Sequence, residues 1–101
     1  MIDNNKKQAL IQDLQTIGLS LKDEIDTETS ITFVFDHRGK QILIDVDLDN
    51  GEPVRFSKIV LDGKVVDLVF DCKEMTKTEF NSNFNDYISL INKEIMNLDG
   101  I

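Results

Sequence analysis

At 101 residues the chain is long enough for one domain with its own core and too short for two, so a single domain over residues 1–101 is predicted. Its 41% hydrophobic and 30% charged residues are ordinary for a globular protein and exclude wholesale disorder. The net charge of −8 argues against nucleic acid and anionic membranes as direct ligands, because both bind clustered Lys and Arg.

The apolar runs are short, and none exceeds three residues. A membrane-spanning helix needs about twenty and a signal peptide about seven to fifteen. We therefore expect a cytoplasmic protein. Cys72 is the one cysteine, so an intrachain disulfide is impossible, and its place at the end of an apolar strand predicts burial as a small hydrophobic residue.

The first helix is predicted over residues 4–18. Leu10, Leu14, Ile17 and Leu21 recur at spacings of four, three and four, which is a helical period, and Gly18 favours a left-handed stop. Residues 22–30 then lose any period, and we interpret this acidic, Thr-containing stretch as a connecting loop.

A four-stranded antiparallel meander is predicted next, because the period changes to two and three turn signals follow: Arg38-Gly39, Asn50-Gly51 and Asp62-Gly63. The predicted pairs of the first hairpin are His37–Lys40, Phe35–Ile42, Phe33–Ile44 and Ile31–Val46. A three-residue loop with a bulge predicts Leu48–Val54 and Val46–Phe56 in the second. The third predicts Leu61–Lys64, Ile59–Val66 and a cross-strand ion pair of Lys58 with Asp67.

The last segment has the clearest helix start in the chain. Thr76 and Glu79 fit a capping box, and an apolar stripe runs from Phe80 to Leu98. A helix over residues 77–98 is predicted. The fold class is therefore α+β, in the order N-terminal helix, four-stranded antiparallel β-meander, long C-terminal helix.

The alternation assigns the two faces of the sheet. The core face is predicted to hold Ile31, Phe33, Phe35, Ile42, Ile44, Val46, Leu48, Val54, Phe56, Val60, Val65 and Val69. The opposite face would be polar on the first two strands, yet on the last two it would carry a bare apolar patch of Ile59, Leu61, Val66, Leu68 and Phe70. Such a patch requires a cover. A second copy of the chain is the first expectation, and a helix that crosses over or a foreign protein are the alternatives.

No catalytic, metal or cofactor site is predicted. Asp45, Asp47 and Asp49 resemble the start of a calcium loop, but the glycine comes one position late and Phe56 stands where a glutamate belongs. His37 lies in a turn, where a solvated side chain is expected. The five glycines all mark turns or helix ends, which leaves none for a phosphate-binding loop.

The favoured function is a non-enzymatic acidic interaction module, an adaptor, inhibitor or immunity-type factor for a basic protein partner. Residues 23–52 hold nine acids against Arg38 and Lys40, and Asp45, Asp47 and Asp49 with the apolar patch are the predicted partner-binding residues. A chaperone-like homodimer that holds a client on its apolar sheet face is the first alternative. A small-ligand-binding domain is the second.

Overall fold

The computed structural model describes residues 1–100. Within them, two helices and six strands follow one another as α1 (Asn4–Gln15), β1 (Ser20–Asp26), β2 (Ser30–His37), β3 (Lys40–Asp49), β4 (Glu52–Leu61), β5 (Lys64–Val66), β6 (Phe70–Asp71) and α2 (Lys77–Leu98). The strands form one antiparallel sheet in the order β1-β2-β3-β4-β5, and β6 pairs with the same edge of β4 as β5 does. The predicted order of helix, antiparallel meander and helix is confirmed.

The sheet is wider than the predicted four strands. Residues 22–30 were expected to be a loop, but Ser20–Asp26 is an edge strand paired with β2. A bulge at Lys22 interrupts its alternation, so that Leu21 and Glu24 both lie opposite phenylalanines of the core face. An edge strand with a bulge and charged side chains has no simple period of two, which is why the pattern concealed it.

The first hairpin and the bounds of α2 agree with the prediction, whereas α1 ends earlier than predicted. All four predicted pairs of the β2–β3 hairpin are present. The capping box of α2 is formed, with the Thr76 hydroxyl accepting from the Glu79 amide and the Glu79 carboxylate accepting from the Thr76 amide. α1 ends at Gln15, three residues early, and Gly18 takes the expected left-handed conformation with φ of 86°.

β4 contains two extra residues that change its register against β3. Ser57 is unpaired between Phe56, which faces Val46, and Lys58, which faces Asp45; Val54 is the second extra residue. The predicted Val46–Phe56 pair is confirmed, but Leu48 faces Pro53 rather than Val54. A single extra residue reverses the side to which all later residues of a strand point.

The faces predicted for the last strands are therefore wrong. After Ser57, Ile59 and Leu61 lie opposite Ile44 and Ile42 on the core face, while Val60 turns to the other side. Of the five residues predicted to form a bare patch, Ile59, Leu61 and Phe70 are buried, and Val66 and Leu68 pack against the same core. Val65 and Val69, predicted to be buried, are exposed. The patch that was to require a second copy of the chain does not exist in this conformation.

Both helices pack on the same face of the sheet, since Leu10, Ile11 and Leu14 of α1 belong to one hydrophobic cluster with the sheet and α2. Phe56 and Phe70 contact Phe84 and Tyr87 of α2, with ring centroids 5.1 to 5.9 Å apart.

The third hairpin keeps its predicted Leu61–Lys64 and Ile59–Val66 pairs, but the pairing of β4 with β5 ends at Val66. Asp67 lies beyond the paired residues of β5, so the predicted pair of Lys58 with Asp67 is not formed; on the other edge of β4, Lys58 faces Asp45. In the segment between β5 and β6, the Leu68 carbonyl accepts a hydrogen bond from the Tyr87 hydroxyl of α2 at 3.0 Å.

The N-terminal end of α1 is held at the β3–β4 turn. The Asp3 amide donates to the Gly51 carbonyl at 3.2 Å, and Lys6 forms an ion pair with Glu52. Further along α1, the Lys7 ammonium lies 2.7 Å from the Glu24 carboxylate of β1 in a partly buried contact. These contacts attach α1 to the β3–β4 turn and to the edge strand β1.

The register of β4 and β5 predicts a large loss of stability from a substitution at Ile59 and a small change from one at Val65. Ile59→Ala should lower the free energy of unfolding by about 2 to 5 kcal/mol, because it empties space in a fully buried part of the core. Val65→Ala, on the exposed side, should change it by less than about 1 kcal/mol. Urea unfolding followed by circular dichroism measures both values. Equal losses for the two variants would contradict the observed register.

Candidate interaction surface

The sheet face away from the helices, here called the open face, is crossed by an apolar stripe. Val34, Leu43, Val60 and Val65 are consecutive cross-strand partners on β2, β3, β4 and β5. Val65 is 60% exposed and the other three are partly exposed. Four apolar side chains in one row form a continuous contact surface, unlike the single apolar residues scattered on most protein surfaces.

At the edge strand β1, the row that contains the stripe ends in a charged residue. Asp23 is the partner of Val34 there, and Ile25, two residues along, is 57% exposed beside Thr32. The apolar row therefore ends in a carboxylate on one edge strand and in the exposed Val65 on the other.

Charged residues lie on both sides of the stripe. The charged residues that their register places on the open face include Asp23, Asp36, Asp45, Asp47, Asp71, Arg55 and Lys58, and Lys73 lies at its end. The excess of acid gives the open face a net negative charge. A surface of this sign attracts a basic partner over several ångströms and orients it before contact.

Two of the three predicted acidic residues have defined partners on this face. Asp45 accepts from the Thr32 hydroxyl at 2.7 Å, and Asp47 accepts from Nε and Nη2 of Arg55 at 3.1 and 3.0 Å. These bonds hold the carboxylates in fixed directions. Asp49 is exposed at the end of β3. The structure thus brings Asp45 and Asp47 together and separates them from Ile59, Leu61, Val66, Leu68 and Phe70, which lie on the other side of the sheet.

Val34 and Leu43 were missed as surface residues because the two faces of β2 and β3 were assigned by their larger apolar side chains, and Val60 and Val65 were placed on the core face because the bulge at Ser57 was not foreseen. Val34 and Leu43 stand between phenylalanines and isoleucines of the core face, in Phe33-Val34-Phe35 and Ile42-Leu43-Ile44. Valine and leucine at both outward positions, directly opposite each other, were the available signal.

The molecule has two shallow depressions, one on the open face and one on the helical side. One, of about 190 Å³, lies at the end of the open face and is lined by Asp47, Val54, Arg55, Asp71 and Lys73. The other, of about 310 Å³, follows α1 and is lined by that helix alone, mainly by the amide side chains of Asn5, Gln8, Gln12 and Gln15. Side chains of a single helix do not converge on a small molecule from several directions, as a ligand pocket requires.

The residues with reactive side chains do not form a catalytic site. His37 was expected to be solvated but is buried, with both ring nitrogens engaged by Gly18 and Asp99. Cys72 is buried as expected, and burial together with Asp71 raises the pKa of its thiol to about 11. Within residues 1–100, no cluster of three or more His, Cys, Asp or Glu side chains could hold a metal ion, and no helix is long and apolar enough to span a membrane.

The thiol of Cys72 should be unreactive in the folded protein. With a pKa of about 11, about one thiol in a thousand is ionised at pH 8, and the residue is buried as well. Ellman's reagent should therefore label the native chain far more slowly than the chain in 6 M guanidinium chloride, with Cys72→Ala as the blank. Rapid stoichiometric labelling of the folded protein would contradict the assignment.

Comparison with known proteins leaves the open face as the principal guide to function. The chain matches no protein-family model, no curated protein and no solved structure.

Proposed function

We propose that this protein is a non-enzymatic interaction module that binds a basic protein partner through its open face, as an adaptor, inhibitor or immunity-type factor of the cytoplasm. The observation that supports the proposal best is the apolar stripe of Val34, Leu43, Val60 and Val65 with carboxylates on both sides of it. An apolar centre with a charged rim is the usual arrangement of a protein interface.

The stripe and the carboxylates have different roles in this proposal. Burial of the stripe supplies binding free energy in proportion to the apolar area removed from water. The carboxylates accelerate encounter and select a partner with complementary charge. Because Arg55 and the Thr32 hydroxyl already hold Asp47 and Asp45, these two acids lose little conformational freedom when a partner binds.

The chaperone-like homodimer has less support. Its apolar sheet face was to consist of Ile59, Leu61, Val66, Leu68 and Phe70, and these residues belong to the core beneath α2. The narrow stripe that remains on the open face would leave an acidic surface facing another acidic surface in a symmetric dimer, which is unfavourable.

Matched variants test the proposal. Val65→Ser shortens the stripe at an exposed position, and Asp45→Asn removes one charge. The wild-type chain serves as bait in an extract of its source cells, and retained proteins are identified by mass spectrometry. The purified partner should bind Val65→Ser about fivefold more weakly, since on the order of 1 kcal/mol of apolar contact is lost. Asp45→Asn should also weaken binding, and raised salt should weaken it further.

The controls lie on the exposed side of α2. Leu90→Ser removes an exposed apolar side chain and Asp86→Asn removes an exposed acid, both away from the open face. Neither should change the affinity. A partner that binds Val65→Ser and Asp45→Asn as tightly as the wild type, or one that is itself acidic, would overturn the proposal.

A further inference from the structure

Three separate parts of the chain meet at the His37 side chain, which is 10% exposed. Its Nδ1 lies 3.1 Å from the carbonyl oxygen of Gly18, in the turn between α1 and β1. Its Nε2 lies 2.8 Å from Oδ2 of Asp99, the residue that caps the C-terminal end of α2. His37 is thus the link between the ends of β2, α1 and α2.

Both partners of the imidazole ring are hydrogen-bond acceptors. A peptide carbonyl can only accept, and an ionised carboxylate can only accept. A neutral imidazole has one N–H, so it would leave a ring nitrogen lone pair facing one of these oxygens. The geometry is satisfied fully only when both nitrogens are protonated, as in the imidazolium ion.

The charged groups around the ring come from each neighbouring element. Asp99 of α2 faces it directly; Arg38, next in the chain, has Nη1 3.7 Å from Oδ2 of Asp99, and Lys40 of β3 has Nζ 3.8 Å from Oδ1 of Asp99. Lys40 also donates to the Leu98 carbonyl at 3.0 Å. From the α1–β1 turn the ring receives only the Gly18 carbonyl. Arg38, Lys40 and, when it is protonated, His37 therefore surround one carboxylate at the negative end of a helix dipole.

We propose that His37 is a pH-sensitive clamp, whose protonated ring holds the last turn of α2 against the sheet and whose neutral ring releases it. Ile95 and Leu98 are the apolar residues of that turn that pack on the core, so release uncovers them. The function of the open face does not depend on this device, because the clamp lies at the other side of the sheet.

The sign of the pH dependence follows from the partners. The hydrogen bond to Asp99 raises the pKa of His37 above its ordinary value of 6.5, the Gly18 carbonyl adds to this, and burial and Arg38 oppose it. A raised folded-state pKa stabilises the docked turn fully below pH 6.5, and this stabilisation is lost as the pH rises through the folded-state value. The hydrogen bond from His37 lowers the pKa of Asp99, so protonation of Asp99 also opens the clamp, in strong acid.

Nuclear magnetic resonance tests the clamp on the unmodified chain. His37 is the one histidine, so its ring protons give a single titration curve. The amides of Asp99 and Gly100 donate within the last turn, and their hydrogen-exchange protection factors report its docking. As the pH rises through the His37 titration, protection at these amides should fall about tenfold for each unit by which the pKa exceeds 6.5. The amide of Ile91, in the middle of α2, should show no such step.

Two variants distinguish a pH-dependent contact of the last turn from packing that does not change with pH. Asp99→Asn should lower the pKa of His37 and remove the pH step at the last turn. Lys40→Met removes the bond to Leu98 and should reduce protection at every pH while leaving the step in place. The proposal is overturned if His37 titrates at or below 6.5, or if protection of Asp99 and Gly100 does not change as the ring loses its proton.

Discussion

The extra residue Ser57 decides which side chains are buried in the second half of β4 and in β5. Without it, Phe56 and Ile59 would point to opposite sides of the sheet; with it, both point toward α2. β5 takes its register from the residues of β4 that follow Ser57, so the contact of Val66 with the core depends on the same residue. Phe70 of β6 is paired with Phe56, which precedes Ser57 and already faces the core. One inserted residue thus directs Ile59, Leu61 and Val66 to the same helical side as Phe56 and Phe70.

This arrangement gives the molecule a sheet with two unlike faces. One face, with both helices, contains a continuous core that includes the aromatic cluster of Phe56, Phe70, Phe84 and Tyr87. The other has a narrow valine and leucine stripe among carboxylates. Because the phenylalanines and isoleucines of the sheet core are already buried beneath the chain's own helices, we interpret the open face as a surface for recognition rather than for stability.

Much of the fold could be predicted from local sequence signals. The open face could not, because its residues depend on a β-bulge that has no local sequence signal. Capping by Thr76 and Glu79 and the Arg38-Gly39 turn are short-range features, and the elements they define are confirmed. A bulge is a relation between two strands, and neither Ser57 nor Lys22 carries a residue type that announces one. Acidic Asp45 and Asp47 were found because they alternate on a strand before any bulge intervenes, whereas Val60 and Val65 lie beyond Ser57. The pairing of His37 with Asp99 joins residues 62 positions apart and has no local signal either.

Thiol accessibility at two adjacent positions of β4 tests this account most directly. Val60→Cys and Leu61→Cys are made separately in a Cys72→Ala background, and labelling by a maleimide is timed under native conditions, with circular dichroism confirming that each variant is folded. The observed register predicts fast labelling of Val60→Cys and slow labelling of Leu61→Cys, which lies beneath α2. Fast labelling at 61 with protection at 60 would show that β4 has no bulge at Ser57 and that the open face has been assigned to the wrong side of these strands.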